Sequence, residues 1–276
     1  MEDSLRRLQL TQLSILQVVD SFCSENHIRY SLYAGTLLGA VRHHGFIPWD
    51  DDLDICMERS EYDRFLKAWE QKKPAGYLLQ NKENTPGFTQ SFSKVRKEHT
   101  TFLQEEWESG RYHTGIFIDV FPIDRIPKSI VKRFRFQWTC MHYQLLCREF
   151  APPKACFPVK IVSQIILLGS RTGWRKLKRE QDLAYIKSFG ESNLSQVAIE
   201  TLGTMRVPLP SNLTDHFTKC IFEHQEFPVF SEWDEYLRRK YGDYMTLPPE
   251  SERKWKHHPI ILDFEHDYNE LRETHN

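Results

Sequence analysis

The chain has 276 residues, 40% of them hydrophobic and 27% charged, with a formal net charge of -1. That length fits one large domain or a core with a smaller appendage, and that composition can build a substantial core. The near-neutral total excludes a protein that binds nucleic acid as a whole, yet the charge is uneven: residues 127–179 hold 12 Lys and Arg against one acidic residue, Glu149.

The six cysteines form no CxxC pair and no Cys/His ligand spacing, so reduced thiols are expected. MEDSLRRLQL lacks the apolar stretch of a signal peptide, and Ile161–Gly169 is too short to span a bilayer. A cytoplasmic location is the resulting expectation.

In chain order, Leu5, Leu8, Ile15, Val19 and Phe22 repeat at helical spacing and predict an amphipathic helix over residues 3–25. Ile28–Leu32 reads as a strand running into Gly35, and Thr36–His43 as a short helix. Leu53–Met57 is β-prone. Ser60, with Asp63 three residues on, is the expected N-cap of the next helix. Tyr77–Leu79, Thr89–Val95, Thr100–Leu103 and Gly115–Phe121 read as strands separated by Pro, Gly, Asn and charged clusters. Pro122 and Pro127 are expected to close the last strand, which sets a boundary near residue 125. Beyond it, 129–150 and 158–188 read as helical, and Ser231–Tyr241 as a helix stopped by Gly242. The predicted fold class is α+β: a mixed β-sheet core flanked by helices over residues 1–125, and a mostly helical portion over 126–276.

The chemistry concentrates between Tyr33 and Ile55. Four carboxylates, Asp50, Asp51, Asp52 and Asp54, crowd beside Trp49, Leu53 and Ile55, a costly arrangement unless a cation neutralises it. Strand residues i and i+2 share a face, so Asp52 and Asp54 are expected on one side of a strand. Asp119, alone among apolar residues in GIFIDVF, supplies a third acid if the strands are neighbours. Such hard oxygen ligands suit Mg²⁺, as one ion or two, with Mn²⁺ as a substitute. A solvated acidic turn after Pro48 is the plain alternative. Ahead of the acids, Gly35-Thr36 precedes a helix N-terminus, where backbone N–H groups can approach a phosphate.

Three strings, GTLLGAVRHHGFIPWDDDLDI, GIFIDVFPID and YGDYMTLPP, resemble the LicD family of phosphorylcholine transferases. That family lies within the polymerase-β-like nucleotidyltransferase superfamily and is related to the fukutin-type ribitol-phosphate transferases. The resemblance runs from about residue 8 to residue 250 and is weakest between about 128 and 200. It implies a nucleotidyltransferase-like core. It also implies transfer of phosphocholine from CDP-choline to a sugar hydroxyl of a glycan or glycolipid acceptor, such as a lipopolysaccharide or teichoic-acid precursor, with release of CMP. Gly35 and Thr36 match the superfamily's phosphate turn, Asp52 and Asp54 its metal-binding pair, and Asp119 its third acid. Asp119 then shares a metal or accepts the hydroxyl proton, while Asp50 and Asp51 support the metal ligands from behind or help shape the turn.

Arg42 matches the family's Arg-His pair and is a candidate for pyrophosphate contact, with a surface arginine as the alternative; His43 binds phosphate or orients an aspartate. Lys94 and Arg96 face the nucleotide or form a solvated strand edge. Trp49 reads as a packing anchor more than a choline contact. A choline box would draw on Trp107, Tyr112, Phe230, Trp233 and Tyr236. The basic stretch 127–179 is a candidate peripheral membrane contact at the inner face of the plasma membrane, or else a helical unit with a solvated face. The rival readings are transfer of another CDP-alditol phosphate, nucleotidyl transfer on the same fold, and an Asp-x-Asp glycosyltransferase using a sugar nucleotide.

Overall fold

In a computed structural model of the chain, residues 2–105, 108–152, 156–169, 173–189, 196–199 and 209–274 are described. Helix α1 (Glu2–Glu25) buries Leu8, Ile15, Leu16, Val19 and Phe22, the face its spacing predicts. It meets α3 (Arg59–Gln71) through Phe22 against Phe65 and Trp69, at ring-centroid distances of 5.8 and 4.8 Å. Helix α2 (Ala34–His43) lies between them in sequence and buries Leu37, Leu38 and Ala40.

The sheet that these helices cover has the order β1-β2-β6-β4-β3, from β1 (Ser31–Leu32), β2 (Asp54–Glu58), β6 (Phe117–Ile126), β4 (Ser93–Lys97) and β3 (Tyr77–Gln80). Only β2 and β6 run parallel; β1, β4 and β3 pair antiparallel to their neighbours. Strand β7 (Gln196–Ile199) extends the sheet along the second half of β6, and β8 (Leu209–Pro210) pairs with β7. A short ribbon joins β5 (Thr101–Leu103) to β11 (Ile261–Asp263). The fold is therefore α+β, a mixed central sheet flanked by helices.

Pro122 does not close β6. The strand runs through it to Ile126, because Asp119 N–H bonds the Leu53 carbonyl on the β2 side and alternate residues follow suit. Pro122, facing the other way, falls in the gap after the β4 pairing ends at Val120 and before the β7 pairing begins at Ile123. No ladder donor is needed there. Ser60 is not an N-cap either: α3 begins at Arg59, whose guanidinium makes two 2.7 Å hydrogen bonds to the buried Asp124 carboxylate. Glu58, which precedes it, makes no capping hydrogen bond with its side chain.

Residues beyond 126 divide in two. Helices α4 (Ile130–Arg148) and α6 (Gly173–Lys187) enclose a small cluster of Ile126, Phe136, Cys140, Tyr143, Cys147 and Ile186. Helix α5 (Phe157–Gly169) lies against α4. The later residues instead join the main core: a hairpin of β9 (Phe217–Phe222) and β10 (Gln225–Phe230), then α7 (Trp233–Tyr241) with Gly242 as its C-cap. A helix α8 (Tyr268–Thr274) ends the described chain.

The hairpin was not anticipated. Its two-residue turn, Glu223-His224, has φ of 50° and 67°, a conformation that Asn-Gly usually announces and that neither residue advertises. Its stabilisation is tertiary. Glu223 accepts hydrogen bonds from Arg6 at 3.0 and 2.6 Å and from Phe46 N–H at 3.1 Å.

Candidate active site

Asp54 begins β2 because the chain around it is clipped in place from both sides. Its N–H donates to Thr36 Oγ1 at 2.8 Å, and its carbonyl accepts from Tyr33 N–H at 3.0 Å. The Gly-Thr turn thus grips the first acid of the strand. Immediately before the turn, Ala34 is held at φ 50°, a left-handed conformation unusual for alanine. Gly35 lies so close to the acidic run that a Cβ there would stand 2.5 Å from Asp50 Oδ2. An anion at a helix N-terminus is favourable, and here Asp50 supplies it.

In register, Asp54 is the partner of Asp119 on β6, Asp119 of Lys94 on β4, and Lys94 of Gln80 on β3. Partners directly opposite across a sheet share a face, so the acids and the lysine form one row. Lys94 donates to Asp119 Oδ1 at 2.6 Å, with its ammonium 3.3 Å from the Phe117 ring centroid. Burial pushes the Asp119 carboxyl up and the Lys94 ammonium down; each partner's charge opposes this, and Asp52 adds further repulsion on Asp119. Asp52 itself precedes β2, and its side chain is 28% exposed.

The acidic run is also fixed by residues far away in sequence. From α1, Gln9 donates to the Asp50 carbonyl at 2.8 Å and Gln12 to the Asp51 carbonyl at 2.9 Å. From the C-terminal side, His257 donates its N–H to Asp51 Oδ2 at 2.8 Å, its Nδ1 lies 3.2 Å from Asp51 Oδ1, and Lys256 stands 3.8 Å from Asp50. The Asp51 bond raises the His257 pKa against the effect of burial. Asp50, buried with Asp52 alongside, has its carboxyl pushed up to about 7. Carboxylate oxygens of Asp50, Asp51 and Asp52 all lie within 4.8 Å of one another. Asp52, Asp54 and Asp119 do not form a triplet that tight.

The family model described as LicD/FKTN/FKRP, nucleotidyltransferase domain, matches residues 27–159, a span that holds the whole row. A lipopolysaccharide cholinephosphotransferase LicD of Haemophilus influenzae is 31% identical over 262 residues, covering 92% of this chain and 96% of that protein. The chain belongs to the LicD family of phosphorylcholine transferases. Shorter likenesses run to uncharacterised proteins of Rickettsia typhi, 38% identical over 26% of this chain and 23% of that protein, and Rickettsia prowazekii, 37% identical over 25% and 26%.

Elsewhere in this LicD-family chain, the remaining expected residues divide. Arg42 ends α2 and donates to the Tyr244 carbonyl at 2.7 Å, which ties down the YGDYM segment. Burial and the neighbouring Arg253 lower its pKa. His43, lowered in pKa by burial and then by Arg42, meets Trp49 edge-on at 6.2 Å. The Trp49 ring in turn lies 5.4 Å from the Arg253 guanidinium, as a packing anchor would. Arg96 is buried two residues along β4 from Lys94, bonded to Gln80 Oε1 at 2.5 Å and the Gly115 carbonyl at 2.6 Å. A solvated edge is therefore excluded for Lys94 and Arg96, since β4 lies between β6 and β3.

Of the aromatics weighed for choline, Phe230 and Tyr236 are fully buried in the main core and Tyr112 packs on Phe88; Trp107 lies outside the described residues. The rings that do face a cation in the row are Phe117 and Phe92. Four contributors went unread in the sequence: Gln9, Gln12, Lys256 and His257. Two glutamines on an apolar helix face and the basic-aromatic run RKWKHH were the available signals.

Proposed function

We propose that this protein transfers phosphocholine from CDP-choline to a sugar hydroxyl of a cell-envelope glycan precursor, releasing CMP, with a divalent ion bound in the acidic row. The observation that carries this reading is the cross-strand register of Asp54 and Asp119 with Lys94 beside them. The matched relative's name supports a choline phosphate and a lipopolysaccharide acceptor; a teichoic-acid precursor offers the same hydroxyl chemistry.

The donor set fits Mg²⁺ or Mn²⁺. Five carboxylates, Asp50, Asp51, Asp52, Asp54 and Asp119, face Lys94, Lys256 and His257, and burial first, then the charge of Asp52, pushes the Asp50 carboxyl up. Asp52 and Asp54 would hold the ion together with Asp119. The chemistry that a bound ion would supply is neutralisation of negative charge on the phosphoryl oxygens.

The chain's own residues do the rest. Gly35, lacking a side chain, leaves room for Asp50, Thr36 fixes the Asp54 backbone, and Lys94 orients Asp119. In the transfer, the sugar oxygen forms a bond to the choline phosphorus while the bond to the CMP oxygen breaks. The hydroxyl proton passes to a carboxylate, and Asp119 is the candidate. Metal titration of Asp119→Asn separates its two roles: retained Mg²⁺ affinity with lost turnover makes it the base. Lys256 and His257, already against the acids, are the cations best placed for pyrophosphate, whereas Arg42 organises the Tyr244–Thr246 backbone.

The deciding experiment presents the protein with Mg²⁺ or Mn²⁺ and a panel of CDP-choline, CDP-ribitol, CDP-glycerol, CTP, ATP and UDP-sugars, and measures binding and slow hydrolysis. CDP-choline should be preferred. A clear preference for UDP-sugars would overturn the reading in favour of a glycosyltransferase, and preference for CDP-ribitol or CDP-glycerol would move the donor within the same fold.

A further inference from the structure

Helix α4 carries two apolar stripes on opposite sides. Phe136, Cys140, Tyr143 and Cys147, spaced by four, three and four, are buried against α6. Ile130, Phe134, Trp138 and Met141, spaced by four, four and three, lie in solvent, with Ile130 84% and Phe134 73% exposed. Helix α5 is inverted outright. It buries Ser163 and Leu167 while Phe157, Ile165 and Leu168 are 76%, 62% and 78% exposed. Helix α6 adds Trp174, 65% exposed, beside Lys176 and Lys178.

Part of this exposed apolar surface runs from helix to helix. Trp138 and Met141 of α4 meet Val159 and Val162 of α5 along an apolar groove of about 470 Å³. Ile165 of α5 and Trp174 of α6 border the adjoining hollow. An apolar face of this extent on three neighbouring helices marks a docking surface.

We infer that helices α4–α6 dock the protein onto an anionic lipid bilayer, the three helices lying in the plane of the headgroups with their shared apolar face inserted. Charge selects this occupant. From residue 127 to the end of α6 at 187 the chain carries 13 Lys and Arg against three acids, Glu149, Glu180 and Asp182, with Lys128, Lys132, Arg135, Lys176 and Lys178 exposed. A second copy would bring the same sign of charge and be repelled, whereas anionic headgroups are attracted. Length fixes the mode: α5 has 13 residues, about 20 Å, against about 30 Å of hydrocarbon. No helix among the described residues is long and apolar enough to cross a membrane.

One ion pair ties the platform to the sheet that carries the acidic row. Glu149, the C-cap of α4, is 2.6 Å from Lys82, two residues beyond Gln80 at the end of the Asp54–Asp119–Lys94–Gln80 row. If the transferase reading holds, docking would bring the enzyme to the surface in which a lipid-linked acceptor is anchored. The docking itself does not depend on that reading.

Flotation of the full chain with lipid vesicles tests it without donor or acceptor. At low salt, vesicles of phosphatidylcholine with phosphatidylglycerol should carry at least tenfold more protein than vesicles of phosphatidylcholine alone, and high salt should reduce the difference. The variant I130E/F134E/F157E/L168E should lose at least tenfold in binding while keeping the parent circular dichroism, melting temperature and donor hydrolysis. Should that variant fail to fold, the milder F134S/F157S, with both sites in solvent, must still show a loss. Protein that stays unbound with both vesicle types overturns the inference, as does a variant that floats like its parent. Self-association lost in the variant, with no vesicle binding, would replace the bilayer by a second copy. Failed flotation leaves the transferase reading standing, and absent turnover leaves the docking standing.

Discussion

Around the acidic row, charged side chains are buried and paired, as Lys94 with Asp119 and Asp51 with the exposed His257, while helices α4–α6 leave apolar side chains in solvent and bury Ser163 and Arg179. Each region departs from the usual partition of polar and apolar groups, in opposite directions. In the row, the cost of burying charge is tolerated because a large core holds it: Ile55, Ile118 and Val120 lie beneath, all at 0% exposure. In the platform, the small cluster of Ile126, Phe136, Cys140, Tyr143, Cys147 and Ile186 supports three helices whose remaining apolar surface still awaits a partner. On the readings proposed above, a cation would complete one region and a bilayer surface the other.

Four measurements test that contrast. The largest effect is expected from Asp54→Asn, which should lower turnover on the order of 10³-fold or more. Its melting temperature without metal should hold or rise, because one of several crowded like charges is gone. A fall in both would mean that Asp54 serves the fold and not the chemistry.

Next comes Phe65→Ala against Phe136→Ala, two buried phenylalanines in different clusters. Each deletion should cost about 3–5 kcal/mol locally. By denaturant unfolding with hydrogen exchange, Phe65→Ala should lower protection throughout, whereas Phe136→Ala should release α4–α6 and leave the sheet protected. Uniform loss in both would show the two regions to be one cooperative unit.

A smaller loss should follow Thr36→Val, which keeps the shape and removes the acceptor of the Asp54 N–H. An unsatisfied buried donor costs about 1–3 kcal/mol, and kcat should fall more than thermal stability predicts because Asp54 shifts. Restored turnover in Thr36→Ser would tie the effect to the hydroxyl.

The smallest concerns Glu223→Gln, at the hairpin turn, expected to cost about 1–2 kcal/mol at neutral pH. Hydrogen bonding from Arg6 lowers the Glu223 pKa below its ordinary 4.5, so its stabilisation is complete above about pH 5. It is lost as pH falls through the lowered value. Denaturant midpoints of parent and variant should therefore converge in acid; a gap that persists there would place the interaction elsewhere.

Much of the site was legible in the chain. An acid alone within GIFIDVF and another opening DICME announce strands that carry carboxylates on an otherwise apolar face, while their pairing is a tertiary fact that neither string states. The role of Arg42 was less legible, because an arginine at a helix end gives no sign that the Tyr244 carbonyl, 202 residues away, will receive it. Likewise Glu223-His224 hides a turn, and Pro122 imitates a strand end until the gap between β4 and β7 is seen. Both are decided by what lies across the backbone, which local periodicity does not encode.

By itself the sequence determined the LicD-family signature, the alternation that puts Asp54 and Asp119 into strands, and the basic excess of 127–179. Tertiary structure decided that Asp54, Asp119 and Lys94 form one row, that Lys256 and His257 counter the acids from over 200 residues away, and that Gly35 and Thr36 serve those acids. It also decided which apolar stripe of α4 is left uncovered. The physical reason is common to all of these. Periodicity states which side chains share a face, while register and packing alone determine what that face meets.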